Sequence, residues 1–246
     1  MENKELDQTL VLIKPDALKN SLTGYVLSQL SEFHTGLRFA GTKVIYVNPM
    51  LAEEHYAEHR GKVFFPALLD YIMGKLHYPS EPEKQRVIAI VYQGPDAVKK
   101  VREICGPTNP HVAREQKPGC IRSLGTLVPL RNAQGETIGE RMDNLIHASA
   151  NPEEAEREIK LWFKPNDIPP FMRAYPTRES QETFYLKDKR LSRRHIAGSV
   201  CILAPGDIAW ESDLQALRLH AEGAASPVPL NTVVAKYLTN ETPERG

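Results

Sequence analysis

Apolar residues along this chain come in two periods, and the alternation between them outlines a fold. Thr9 to Ile13 is an unbroken apolar run of strand length that stops at Lys14-Pro15-Asp16, which predicts a strand buried on both faces. Leu22, Val26, Leu27 and Leu30 then recur at helical spacing within Ser21 to Phe33, and Gly36 closes that segment. Lys43-Val44-Ile45-Tyr46-Val47 alternates, so Leu37 to Val47 is expected as a second strand. Pro49 opens a polar helix that breaks near Gly61, and Val63 to Met73 gives a second helix set against it as a hairpin. Arg86 to Tyr92 is a third strand, followed by a helix over Asp96 to Cys105 that Gly106-Pro107 stops.

From Thr108 to Asp143 the periodicity fades. Thr126 to Leu130 and Glu136 to Met142 are expected to pair as a hairpin across Asn132-Ala-Gln-Gly135. Asn144 to Ile146 reads as a fourth core strand ending on His147, and Pro152 to Phe163 as the last core helix, with Asn151 as its cap and Ala155, Ile159, Leu161 and Trp162 as its apolar positions. This order, β-α-β-(αα)-β-α-loop-β-α, predicts an α/β sandwich of the split βαβ, ferredoxin-like kind on a four-stranded antiparallel sheet. Lys164 to Pro170 looks like a linker, so residues 1–165 are expected to form the main domain and 166–246 an extension. In the extension Ser199 to Leu203 is a candidate strand, Glu211 to His220 a helix and Val233 to Leu238 another short element. Few apolar side chains are available there, and packing on the core or on a neighbouring subunit is the expectation.

Composition narrows the partners. Lys+Arg and Asp+Glu are equal at 31 each, so no overall field draws the chain to nucleic acid or a membrane, and an anionic ligand needs a local cluster of cations. The one small basic cluster, Arg190-Leu-Ser-Arg-Arg194, reads as a solvated turn. Three separated cysteines without a CxxC pair indicate neither a disulfide framework nor a zinc site. With a polar start and no apolar run of spanning length, a cytoplasmic protein is expected.

Chemistry concentrates in Asn144-Leu-Ile-His-Ala-Ser149, where a histidine lies between a strand and a helix start. Taken with Leu12-Ile-Lys-Pro-Asp16, Glu54-His-Tyr56, Phe64-Phe65, Gly106-Pro-Thr-Asn-Pro110, Lys117-Pro-Gly-Cys-Ile-Arg122 and Glu156 to Phe163, all in order, the chain resembles nucleoside diphosphate kinases over roughly residues 6 to 165. The resemblance implies ping-pong transfer of a phosphoryl group between nucleoside tri- and diphosphates through a phosphohistidine on His147. It implies Glu158 as the orienter of that histidine and Tyr56 as a neighbour. Lys14, Arg102, Arg122 and Thr108 would bind phosphates, Phe64 would stack on the base without selecting it, and Asn144 would bond the sugar. Mg²⁺ is implied, held mainly through the nucleotide's phosphates rather than by a protein carboxylate cage, and a homo-oligomer, at least a dimer, is expected.

Independent readings stand beside these roles. Phe64 or Phe65 must face the core, Tyr56 suits a helix surface, and Glu158 suits a solvent face. The chain also departs from the family pattern: Ala150 stands where an acid is usual, and the loops Lys75 to Gln85 and Arg122 to Asn144 are long. The competing expectation is a catalytically silent nucleotide-binding or scaffold protein on the same fold. It predicts gaps among His147, Lys14, Arg102, Arg122, Thr108 and Asn144, and the sequence has none.

Overall fold

The structure, a computed structural model, describes residues 7–132 and 134–239. The polar start, residues 240–246 and Ala133 of the expected hairpin turn lie outside the described residues. In the first half come β1 (Gln8–Ile13), α1 (Pro15–Lys19), α2 (Thr23–Gln29), α3 (Glu32–Thr35), β2 (Arg38–Ile45), α4 (Pro49–His55), α5 (Phe65–Ile72), β3 (Val87–Gln93) and α6 (Ala97–Cys105). Then follow α7 (Pro110–Gln116), β4 (Thr126–Arg131), β5 (Thr137–Asp143), β6 (Ile146–Ala148) and α8 (Pro152–Trp162). Four strands make one antiparallel sheet in the order β2-β3-β1-β6, the expected ferredoxin-like arrangement.

β1 is buried along its whole length because both faces of the sheet are covered. Leu10, Leu12, Val87, Ala89 and Val91 meet Leu51, Ile72, Ile159 and Trp162 from α4, α5 and α8. Val11, Ile13, Ile90 and Tyr92 meet Ala17, Val26, Val101 and Cys105 on the other side. The unbroken apolar run in the sequence is the signature of this double burial.

Three local expectations are corrected. The segment Ser21 to Phe33 is not one helix: α2 ends before Leu30, and Ser31 starts α3 by accepting from His34 N, with left-handed Gly36 closing it. Apolar spacing carries through this break, so period alone missed it. α7 was absent from the expected elements because its seven residues show little periodicity, yet Pro110 and the Asn109 cap define its start. The fourth core strand is Ile146–Ala148 rather than Asn144 to Ile146, since Leu145 has φ 70°. His147 is thus the middle of the strand, opposite Leu12.

The extension contains β7 (Thr177–Glu179), β8 (Phe184–Lys187), β9 (Arg190–Ser192), β10 (Val200–Leu203), β11 (Ile208–Trp210), α9 (Glu211–Ala221) and α10 (Leu230–Val234). Four of these strands fall outside the expected elements because each is only three or four residues long. Contrary to the expected shortage of apolar residues, Phe184, Leu186, Ile202, Leu203, Leu214, Leu217, Val233 and Val234 gather into a cluster of their own. Met50 of α4 packs against that cluster, Trp210 and Ala235 join the main core, and Asn48 Nδ2 donates to Ala235 O and Leu238 O at 3.3 and 3.1 Å.

Candidate active site

His147 is placed by a kink and a strand. Leu145 occupies the left-handed region, which costs a non-glycine residue about 1–2 kcal/mol. Two hydrogen bonds hold it there: Leu145 N donates to Asp16 Oδ2 at 2.9 Å, and Leu145 O accepts from Lys14 N at 2.9 Å. The turn lets Asn144 and His147 reach one cleft while Ile146 and Ala148 go into the core. Pairing with β1 fixes His147 beside the end of β1, where Lys14 emerges.

Glu158 lies on the buried face of α8 with Ala155, Ile159 and Trp162, not on the solvent face. Its Oε2 meets His147 Nε2 at 2.9 Å and accepts from Ser149 Oγ at 2.7 Å. Burial opposes ionisation of this carboxyl, but the His147 imidazole, its hydrogen bond, His55 and Ser149 outweigh it and hold the pKa down to about 2. An ionised carboxylate only accepts, so Nε2 carries the proton and Nδ1 keeps the free lone pair.

Lys14 is buried and its Nζ donates to Asn144 Oδ1 at 2.8 Å, while Asn144 Nδ2 donates to Thr108 O at 2.9 Å. Burial pushes the Lys14 ammonium down to about 8, with Asp16 opposing and Arg122 adding to the shift. Arg122 is buried too, donating through Nη1 to Gly106 O at 2.9 Å. Arg102, in the last turn of α6, and Thr108 line the same cleft. Phe64, 39% exposed, lines it from the start of α5, whereas Phe65 packs against the core, which divides the two aromatics between ligand and fold. Tyr56, buried at the end of α4 and not on a helix surface, completes the set. All nine site residues expected from the sequence therefore line one cleft of ≈ 520 Å³.

Among the lining residues that the sequence did not single out are His55 and Arg141. His55 is buried with its ring perpendicular to that of His147 at 4.5 Å, and Trp162 Nε1 donates to its Nδ1 at 3.2 Å. Burial, then the neighbouring His147, keep it neutral by lowering its pKa well below the usual value. It stands inside the quoted Glu54-His-Tyr56 motif, so the signal was present. Arg141, from the β4–β5 hairpin, had no signal beyond the length of its loop. Ala150 also lines the cleft, leaving it one carboxylate poorer beside the cations, and Asn151 caps α8 by accepting from Glu154 N at 2.8 Å.

A family model described as nucleoside diphosphate kinase matches residues 7–168. The chain belongs to the nucleoside diphosphate kinase family. It is 34% identical over 202 residues to the nucleoside diphosphate kinase of Thermococcus kodakarensis, covering 82% of this chain and 99% of that one. Against the Pyrococcus furiosus enzyme it is 40% identical over 186 residues, 76% of this chain and 97% of that one. The solved nucleoside diphosphate kinase of Aquifex aeolicus superposes with a TM-score of 0.52 at 31% identity, covering 66% of this chain and 99% of that chain.

Proposed function

We propose that this phosphotransferase, which moves a phosphoryl group from a nucleoside triphosphate to a nucleoside diphosphate, works by a ping-pong route through a phosphohistidine on His147. The observation that carries the reading is the pair His147 Nε2 to Glu158 Oε2, because it leaves Nδ1 unprotonated. In the first half-reaction Nδ1 attacks the terminal phosphorus, the P–N bond forms, and the bond to the bridging oxygen breaks to release a diphosphate. The proton stays on Nε2, and the ionised Glu158 stabilises the positive charge that the ring acquires. A terminal oxygen of the second diphosphate then attacks the same phosphorus and restores neutral His147.

Lys14, Arg102 and Arg122 supply charge to the phosphates, Thr108 a hydroxyl, Asn144 a bond to the sugar and Phe64 a stacking face that accepts every base. Tyr56 lines the cleft with its ring against His55, the neighbour of His147. Mg²⁺ fits this cleft as a passenger of the nucleotide: the compact donor group His55, His147 and Glu158 is nitrogen-rich and Glu158 is already engaged, so phosphate oxygens and water are left to hold a hard cation. When bound, it spreads the charge of the transferring phosphoryl. Incubation with a radiolabelled nucleoside triphosphate and Mg²⁺ is expected to give an acid-labile, base-stable phosphoprotein that an unlabelled diphosphate discharges. Binding without labelling would instead favour the silent-scaffold alternative.

The Lys14 environment adds a pH signature. Its ammonium is charged below about 8 and lost above it, so kcat/KM is expected to fall about tenfold per pH unit on the alkaline side. Lys14→Arg, charged throughout, should remove that limb whatever its effect on the plateau.

The same reading includes a homo-oligomer, at least a dimer, supported by β2 standing at a sheet edge with Phe33 and Phe39 exposed beside it. It includes a cytoplasmic setting, supported by three unpaired cysteines, and no membrane partner; among the described residues no helix is long and apolar enough to cross a membrane. It also divides the chain into residues 1–165 as the catalytic domain and 166–246 as an extension, supported by the extension's separate apolar cluster.

A further inference from the structure

The basic cluster Arg190-Leu-Ser-Arg-Arg194, which the sequence presents as a solvated turn, is part of an ordered surface of the extension. β8 and β9 belong to a three-stranded sheet in the order β10-β8-β9, with β9 at its edge. Phe184 and Leu186 of β8 lie in the extension's apolar cluster, and Leu191 of β9 packs against it. Alternation therefore puts Tyr185, Lys187, Arg190 and Ser192 on the opposite face. The register pairs Tyr185 with Ser192 and Lys187 with Arg190. Tyr185, Lys187, Arg190, Ser192, Ile196 and Ser199 line a hollow of ≈ 470 Å³.

Charge on this face is unbalanced. Lys187 and Arg190 stand directly opposite each other, a like-charge pair that weakens a hairpin. The turn between them, Asp188-Lys189, supplies the one acid of residues 185–199. Of the five Lys and Arg in that stretch, Arg193 alone has carboxylate partners among the described residues, Glu182 and Glu222 at 3.1 Å each. Lys187 Nζ donates to the neutral Ala197 O at 2.7 Å, and Lys189, Arg190 and Arg194 are exposed. Arg194 N donates to Ser192 Oγ at 3.0 Å, which keeps that residue beside the hairpin.

An anion on this face relieves the repulsion, and the other side chains there narrow its chemistry. One step along the strands from the Lys187–Arg190 pair comes Tyr185 opposite Ser192, and the His195 ring stands edge-on to Tyr185 with centroids 5.4 Å apart. A cationic row followed by an aromatic row matches a ligand that alternates phosphates with bases. An inorganic phosphate or a lipid headgroup leaves the aromatic row unused, and a mononucleotide leaves most of the cations unused. We propose that the β8–β9 face binds single-stranded nucleic acid without sequence preference, with Lys187, Lys189, Arg190 and Arg194 along the backbone and Tyr185 stacked on a base. The proposal does not depend on the phosphohistidine route.

The test uses the full chain, with excess ADP and Mg²⁺ filling the catalytic cleft, and follows a fluorescein-labelled oligothymidylate by anisotropy. A Kd on the order of 10⁻⁵ M is expected, with log K falling against log salt at a slope of about −3 for four phosphate contacts. Arg190→Gln should weaken binding and make that slope shallower by about 0.7. Tyr185→Leu should weaken binding about tenfold and leave the slope unchanged. Phosphotransfer should be unaffected in both variants. If Tyr185→Leu lowers Tm, Tyr185→Trp replaces it: its larger ring should tighten binding, and unchanged or weaker binding counts against the proposal. Absence of binding at low salt overturns the proposal, as does an affinity that Arg190→Gln leaves unchanged. Phosphatidylserine vesicles or a duplex of the same length bound as tightly as the single strand would reduce the face to a general cationic patch, which also overturns it.

Discussion

His147→Ala is expected to abolish phosphoenzyme formation and to lower turnover by at least ~10⁴-fold, the scale on which loss of a nucleophile is felt when the rest of the site remains. The structure says why the loss should be so complete. His55 packs against His147 and cannot substitute: its Nδ1 is occupied by Trp162 Nε1, and it is buried behind the ring of His147. Glu158→Gln should show a graded loss, about 10–100-fold, because the amide can still accept from Nε2 but carries no charge to oppose the developing imidazolium. Both variants should still bind nucleotide, since neither change touches Lys14, Arg102 or Arg122. Quantifying acid-labile phosphate after a chase separates the cases. Labelled His147→Ala would remove His147 from the mechanism, and a Glu158→Gln enzyme as fast as wild type would remove the carboxylate's role.

Much of this site was legible before any fold was seen, and the reason is chemical. Cations, a histidine and a stacking aromatic are each tied to a loop or an element boundary that Pro, Gly or Asn marks, so their order along the chain survives as pattern. Glu158 illustrates the limit. Its place beside apolar residues left the solvent face open, yet Ala155, Glu158, Ile159 and Trp162 are spaced three and four apart and share one face of α8. A carboxylate on such a stripe needs a buried partner, and the partner is His147. Leu145 shows the opposite case: nothing in its identity predicts a positive φ, which is held by Asp16 of α1, just past the end of β1 and distant in sequence. Arg141 was illegible for a similar reason. Its place in the cleft depends on hairpin register and on Asp143 and His77, contacts that no local period encodes.

Trp210→Ala carries the second large expectation, and it decides how the extension relates to the enzyme. The indole is fully buried in the main core and its Nε1 donates to Phe163 O at 2.8 Å. Truncation there should cost about 3–5 kcal/mol, a fall in Tm of roughly 10 °C for a chain of this size, with the orphaned Phe163 carbonyl adding to the cavity. Phe163 follows Trp162, whose indole holds His55 against His147, so the damage should spread toward the site. Thr232 of α10 reinforces the same region by donating to Glu54 Oε2 at 2.5 Å, next to His55. Wild type is therefore expected to lose extension and phosphoenzyme capacity in one cooperative transition, and Trp210→Ala to lose both together at a lower temperature. Trp210→Phe, which keeps most of the volume but not the N–H, should fall between them. If differential scanning of Trp210→Ala instead shows the extension melting early while phosphoenzyme formation persists to the wild-type temperature, the extension is an appended module and α4 stands without it.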